Sequence, residues 1–214
     1  MFEEVLTSPR IELLKDLGTL SHLNNYYMAG GTAAALQMGH RRSVDFDFFG
    51  SNLETENLTR ALDKEFGFQV STSEPGALHG MVKDTKVSFL QYHYPLIFPT
   101  HSFISVELAD IKDIALMKIV AIANRGTKKD FTDLYFICEK AIGLEELLID
   151  LFPKKYGQKA YSTYHIIRSL QYFDDAEAEP PLDMFVPLDW TALKKFFTGE
   201  VTKIANNHFQ DYMK

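Results

Sequence analysis

The sequence predicts an α/β (α+β) protein, a mixed sheet flanked by helices that gives way to a helical C-terminal part. Three observations carry this. Between positions 26 and 108, short runs rich in Val, Phe and Tyr alternate apolar and polar residues, the period of half-buried strands. From Asp110 onward, helical periodicity with capping residues takes over. A chain of 214 residues, 46% of them hydrophobic, can bury one core of ordinary size together with a helical extension. We therefore expect an α/β core over residues 1–108 and a helical part packed on it over residues 109–214.

Each element has a local reason. Residues 9–20 place Ile11, Leu13, Leu14 and Leu17 near one face of a helix. A short strand over 26–29 precedes an alanine-rich helix over 31–39, closed by Gly39. Residues 43–49 alternate as a strand. A helix over 58–66 leads to three strands, 68–73, 78–83 and 86–92, spaced as a meander. The loop around Pro95 runs into a last strand over 103–108. Asp110, with Asp113 three residues on, predicts a capping box for a helix that reaches Asn124 and breaks at Arg125-Gly126. Thr127 caps the next helix, to Lys140. After a break at Pro180-Pro181, Asp189 caps a helix over 190–197.

Composition narrows the function. With 22 basic and 29 acidic residues the net charge is −7, which argues against a globally basic nucleic-acid binder and leaves room for a local basic patch. The single cysteine, Cys138, excludes an intrachain disulfide and a multi-cysteine zinc site, and its apolar helical context predicts a packed thiol. The start, Met1-Phe2-Glu3-Glu4-Val5, has no basic region or apolar core of a signal peptide, and no run is long enough to span a bilayer. A soluble cytoplasmic protein without a membrane partner is expected.

Two constellations carry chemistry. In the first, Gly30-Gly31-Thr32 is followed by Asp45-Phe46-Asp47-Phe48. Alternation puts Val44, Phe46 and Phe48 on one side of a strand and Asp45 and Asp47 together on the other. Two like charges side by side repel, and a divalent cation removes the repulsion while using their oxygens as hard ligands. The glycines let backbone N–H groups approach a phosphate at a helix start. A lone Gly-Gly is an ordinary turn and a lone Asp-x-Asp an ordinary solvated strand face, so it is the pair, in this order, that points to a metal-bound phosphate.

The second constellation lies in the helical part. The stretch from Ile114 to Ala123 is apolar except for Lys118, which must snorkel, pair or face a cleft. Arg125 follows seven residues on, near the same face. Lys128 reads as a solvated first-turn lysine. Lys129, Asp130 and Asp133 come next; Asp130 and Asp133 are one turn apart, and Asp130 also suits a capping box with Thr127. Lys118 and Arg125 suit phosphates, one as a point charge and the other as a fork. On this reading Lys118 emerges opposite Asp45 and Asp47.

Together these residues resemble a family. Gly30-Gly31-x13-Asp45-x-Asp47 is similar to the signature of the nucleotidyltransferase superfamily related to DNA polymerase β. Arg41-x-Ser43-x-Asp45-x-Asp47, followed by Lys118-x-x-Ala121-x-x-x-Arg125-x-x-x-Lys129-Asp130-x-x-Asp133, resembles the AbiEii-type nucleotidyltransferases, which include toxins of type IV toxin–antitoxin systems. The resemblance implies a nucleotidyltransferase-like sheet, Mg2+ (one or two ions) held by Asp45 and Asp47, and a nucleoside triphosphate held by Gly30, Gly31, Thr32, Arg41, Ser43, Arg125 and Lys129. Lys118 and Asp130 would belong to a third motif needed for activity in toxin members. The reaction implied is attack of an acceptor hydroxyl, of tRNA or of a protein, on the α-phosphate, and the toxin relatives imply an antitoxin encoded nearby.

One position departs from the pattern. The superfamily's third carboxylate stands on a later strand between apolar residues, and here Val87-Ser88-Phe89 puts serine in its place. A hydroxyl is a weaker metal ligand than a carboxylate and cannot act as a general base on its own. Glu107, within Val106-Glu107-Leu108, is the other acid in such a pattern. The alternative function is therefore a nucleotide-binding or partner-binding module with a degenerate site. Other chemistries fit less well. His40, His79, His93 and His101 have no metal-ligand spacing and read as scattered surface or core residues, and no Gly-x-Ser-x-Gly elbow is present. Tyr92, Tyr94 and Phe98 around Pro95 form an aromatic loop, either packed or open to a base.

Overall fold

A computed structural model describes residues 1–157 and 159–209. The chain divides into two compact units, Met1–Asp110 and Ile111–Lys214. The first is built on a seven-stranded sheet with strands β1 (Tyr27–Ala29), β2 (Phe46–Gly50), β3 (Gln69–Glu74), β4 (Ala77–Val82), β5 (Thr85–Gln91), β6 (His101–Phe103) and β7 (Val106–Leu108), in the order β3-β4-β5-β2-β1-β7-β6. Pairs β2–β5 and β1–β7 are parallel and the other four antiparallel, so the sheet is mixed as expected. Helices α1 (Ser8–Leu17), α2 (Gly30–Met38) and α3 (Thr55–Phe66) belong to this unit, with 3-10 turns at Glu3–Val5 and Ser21–Asn25.

The register explains why one face is core. Leu78, Phe89, Phe48, Met28 and Leu108 are paired in sequence across five strands, and each is at most 1% exposed. The Phe48 and Phe89 rings stack with centroids 5.3 Å apart, a geometry that adds to their burial. Leu58 and Leu62 of α3 are buried as well. Because side chains alternate along a strand, the residue after or before each of these faces the other way. Ala29, Asp47, Ser88 and His79 therefore form a second paired row on the opposite face of the sheet.

Three expectations about elements are corrected. The carboxylate strand begins at Phe46 rather than Ser43, so Asp45 leads into β2 and Val44, 39% exposed, is not on the apolar face. Residues 103–108 are not one strand: the chain turns at Ile104, whose φ is 56°, and β6 and β7 form a hairpin. The strands of the meander lie one residue from the expected positions, because β4 and β5 join through a two-residue turn, Lys83-Asp84, with Lys83 at φ 52°.

In the second unit, α4 (Ile111–Asn124) and α5 (Lys128–Lys140) are followed by α6 (Leu144–Glu146), a π-helical turn Leu147–Leu151, α7 (Phe152–Tyr156), α8 (Thr163–Ser169), α9 (Asp174–Ala178) and α10 (Trp190–His208). Phe131 of α5 centres an aromatic cluster, 5.0 Å from Phe173 and 5.5 Å from Phe197. Asp189 caps α10 as its position suggested, accepting from the N–H groups of Thr191 and Ala192 at 2.8 and 3.2 Å. That helix runs to His208, well past the expected 197. Asp113, expected in a capping box, is instead fully buried and accepts from Lys155 Nζ at 2.6 Å. Burial pushes the Lys155 ammonium below its ordinary value against the opposing pull of Asp113.

Candidate active site

The first site is built where β1 turns into α2. Gly30 sits at φ 76°, a conformation other residues adopt only under strain. Space is as decisive as the dihedral. A Cβ on Gly30 would lie 2.9 Å from Asp47 Oδ2, and a Cβ on Gly31 would lie 2.6 Å from Arg41 Nη2 and 3.4 Å from Ser43 Oγ. The two glycines thus let a carboxylate, a guanidinium and a hydroxyl converge on the first turn of a helix whose N-cap, Ala29, contributes no side-chain cap. Unpaired N–H groups and a partial positive charge at such a terminus favour an anion.

Thr32, expected on the nucleotide, is 1% exposed and its hydroxyl has a structural use. It donates to the carbonyl of Asp45 and lies 2.8 Å from Ser43 Oγ. That tie fastens the segment bearing Ser43 and Asp45 to α2. Arg41 is also buried, with Nη1 donating to the Arg42 carbonyl at 3.0 Å.

On the sheet, Asp47 is half-buried between the core residues Phe46 and Phe48. Its partner across the parallel pair β2–β5 is Ser88, at the position where the apolar–x–apolar pattern anticipated an acid. Ser88 Oγ is 3.0 Å from His79 Nδ1. Glu107, the other acid considered, belongs to the β6–β7 hairpin, where it accepts from the hydroxyls of Thr100 and Ser102. Those hydrogen bonds hold its carboxyl below the ordinary range. Among the described residues no three His, Cys, Asp or Glu side chains group as a metal cage. Two carboxylates completed by substrate oxygens are, however, the donor set magnesium takes in phosphoryl-transfer sites, so Asp45 and Asp47 fit that ion.

The second constellation is brought together within the helical unit. Lys118 Nζ lies 2.9 Å from Asp130 Oδ1 and 2.7 Å from Asp133 Oδ2. Arg125 forks onto Asp130, Nε to Oδ2 at 2.8 Å and Nη2 to Oδ1 at 3.2 Å, and Thr127 Oγ1 donates to Oδ2 at 2.6 Å. Both carboxylates are fully buried and Lys118 is 4% exposed. Burial alone would raise the Asp130 pKa, but the Lys118 and Arg125 charges prevail and hold it far below the ordinary carboxylate range. The ammonium of Lys118 is therefore engaged by two carboxylates, where the sequence led us to expect it in a cleft. Asp130 acts as the hub of a buried network more than as a cap. Lys129 is exposed. Lys128 is not the solvated lysine expected, since its ammonium donates to the Glu179 carbonyl and sits 5.6 Å over the Trp190 ring.

His79 is the residue sequence spacing missed. Its signal is the turn: a hairpin centred on Lys83-Asp84 pairs position 79 with position 88. The aromatic loop is packed, with Tyr92 edge-on to Phe49 and Tyr94. Two clefts of about 320 and 340 Å³ border α8 and the end of α10, and none of the expected site residues lines either.

Comparisons with known proteins identify a family and a fold. The family model described as "Nucleotidyl transferase AbiEii toxin, Type IV TA system" matches residues 84–214, a stretch that contains the Lys118–Asp133 motif but not the glycine turn. A protein of Aquifex aeolicus, described as uncharacterized, is 35% identical over 201 residues, covering 92% of this chain and 96% of its own. The fold is similar to that of MenT4, a nucleotidyltransferase toxin from Mycobacterium tuberculosis, with a TM-score of 0.60 at 14% identity over 91% of this chain and 82% of that one. It is also similar to JHP933 from Helicobacter pylori, with a TM-score of 0.56 at 14% identity over 99% and 94%, and to a further H. pylori protein described as a putative nucleotidyltransferase, at 0.52, 16% identity and 94% and 97% coverage. Among the described residues no helix is long and apolar enough to cross a membrane.

Proposed function

The chain belongs to the AbiEii family of nucleotidyltransferase toxins of type IV toxin–antitoxin systems, and from that premise we propose the reaction and the residues that carry it. The enzyme transfers a nucleoside monophosphate from a nucleoside triphosphate to an acceptor hydroxyl in the presence of magnesium. Asp45 and Asp47 hold the ion, and when bound it neutralises negative charge that develops on the triphosphate. The Gly30-Gly31 turn, Arg41 and Ser43 hold the phosphate oxygens, and Thr32 keeps the Asp45 segment in place through its carbonyl. Within the helical unit, Lys118, Asp130 and Asp133 brace the turn between α4 and α5, the segment that carries Arg125 and Lys129. With the phosphates positioned and charge-compensated, the remaining work is alignment of the attacking oxygen with the leaving pyrophosphate. We place the acceptor among tRNAs, the enzyme in the cytoplasm, and its control with an antitoxin.

The observation that carries this reading is the crowding of the glycine turn: Asp47, Arg41 and Ser43 occupy the space a side chain at position 30 or 31 would need. The test is incubation of the protein with α-phosphate-labelled nucleoside triphosphates, magnesium and total RNA. Label entering RNA, and lost in Asp47→Asn, is the expected result. Because Asp47→Asn removes one of two neighbouring carboxylates and little packing, its melting temperature should stay near that of the parent. Triphosphate binding without transfer would favour the alternative, a binding module in which Ser88 replaces the third acid. No magnesium-dependent triphosphate binding at all would overturn the assignment.

A further inference from the structure

The row of residues on the site face of the sheet does not stop at Asp47. Ser88 pairs with Asp47 on one side and with His79 on the other. Adjacent strands are about 4.8 Å apart, which puts the His79 backbone roughly 10 Å from that of Asp47. Ser88 is 1% exposed, whereas His79 is half-buried. The imidazole Nδ1 is 3.0 Å from Ser88 Oγ, and among the described residues Nε2 has no hydrogen-bond partner.

We propose that His79 is the general base of the transfer, with Ser88 as the residue that positions it. This rests on the nucleotidyltransferase reading above. A serine in the place of the third carboxylate cannot take a proton from the acceptor, but it can orient a group that does. If Nδ1–H donates to Ser88 Oγ, the ring is fixed in the tautomer whose lone pair is on Nε2, the nitrogen Ser88 does not engage. The buried hydroxyl and the half-exposed imidazole then divide the work that a single carboxylate does elsewhere. The acceptor oxygen forms its bond to the α-phosphorus. The bond from that phosphorus to the bridging oxygen breaks, and its electron pair leaves with pyrophosphate. The hydroxyl proton passes to Nε2, giving an imidazolium that later loses it to solvent. Neither an oxidant nor a second co-substrate is required.

The test separates this inference from the reading beneath it. His79→Gln keeps a group able to hydrogen-bond Ser88 but cannot accept the proton. Positioned general bases contribute about 100- to 10,000-fold. Single-turnover transfer of label to total RNA should therefore fall by at least about 100-fold, while magnesium–triphosphate affinity, measured by titration calorimetry, and melting temperature match the parent. Transfer at the parental rate, or a loss of affinity that accounts for the loss of rate, overturns the role of His79 and leaves the nucleotidyltransferase site standing. Should the parent and Asp47→Asn bind magnesium–triphosphate alike, the site itself is wrong and His79 falls with it.

Discussion

Asp47 Oδ2 packs so closely on Gly30 that a methyl group on that glycine would stand 2.9 Å from it. Gly67 offers the matching control: its φ is 64°, close to the 76° of Gly30, but nothing lies within 4 Å of where its Cβ would be. Holding an L-residue in this conformation costs roughly 1–2 kcal/mol, which for a chain of this size lowers the melting temperature by about 2–8 °C. Gly30→Ala and Gly67→Ala should both show that loss. Magnesium–triphosphate affinity should fall in Gly30→Ala alone, because there the methyl group displaces Asp47, the carboxylate we propose for the metal. Equal affinities in the two variants would remove the glycine turn from the site.

Lys118 bridges two fully buried carboxylates, so its replacement should be felt as instability. Lys118→Met preserves the stem's packing but leaves Asp130 and Asp133 short of a cation, and breaking a buried pair in this way costs about 3–5 kcal/mol. Urea denaturation of the helical unit's transition measures it. A triple variant, Lys118→Met with Asp130→Asn and Asp133→Asn, should recover part of the loss, since no charge is then stranded. Unchanged stability in Lys118→Met would mean the bridge contributes nothing.

Asp130 also sets an acid limit. Its folded-state pKa is depressed by Lys118 and Arg125 in spite of burial. Such a group contributes stability that is fully present above the unfolded carboxylate value of about 3.9 and is lost as pH falls toward the folded one. The stability gap between the parent and Asp130→Asn should therefore be constant from neutral pH to about pH 5 and close below about pH 4. A gap that persists undiminished to the acid unfolding of the parent would contradict the depressed value.

Cys138 lies on α5 and is partly exposed, and burial together with the charges of Glu139 and Glu200 pushes its thiol well above the ordinary range. The reactive species is the thiolate. Alkylation by iodoacetamide near neutral pH should be slow in the native protein and should reach the rate of a free thiol in urea. Rapid native labelling would contradict the raised value.

Much of this was legible because it is local. The mixed class, the pairing of Asp130 with Asp133 and the Asp189 cap follow from spacing over two to four residues, where alternation and the helical turn decide which side chains are neighbours. Lys118 and Arg125, two helical turns apart, group with them on sequence grounds, and the structure brings all four together. The same logic misplaced the start of β2 and merged β6 with β7, since three-residue strands carry too little period to be delimited.

The sequence alone determined which residues are available: the paired glycines, the Asp-x-Asp, the serine in an acid's position, and a lysine in an apolar helix. Tertiary structure decided what they meet. Asp47 and Ser88 are 41 positions apart, and only the parallel pairing of β2 with β5 sets them side by side. That register is chosen by the burial of Phe48 against Phe89 on the other face, a choice no local pattern encodes. Lys118 could snorkel, pair or face a cleft on sequence grounds. Packing α4 against α5 removed water from its ammonium, and an ion withdrawn from water takes the nearest opposite charges, which are Asp130 and Asp133.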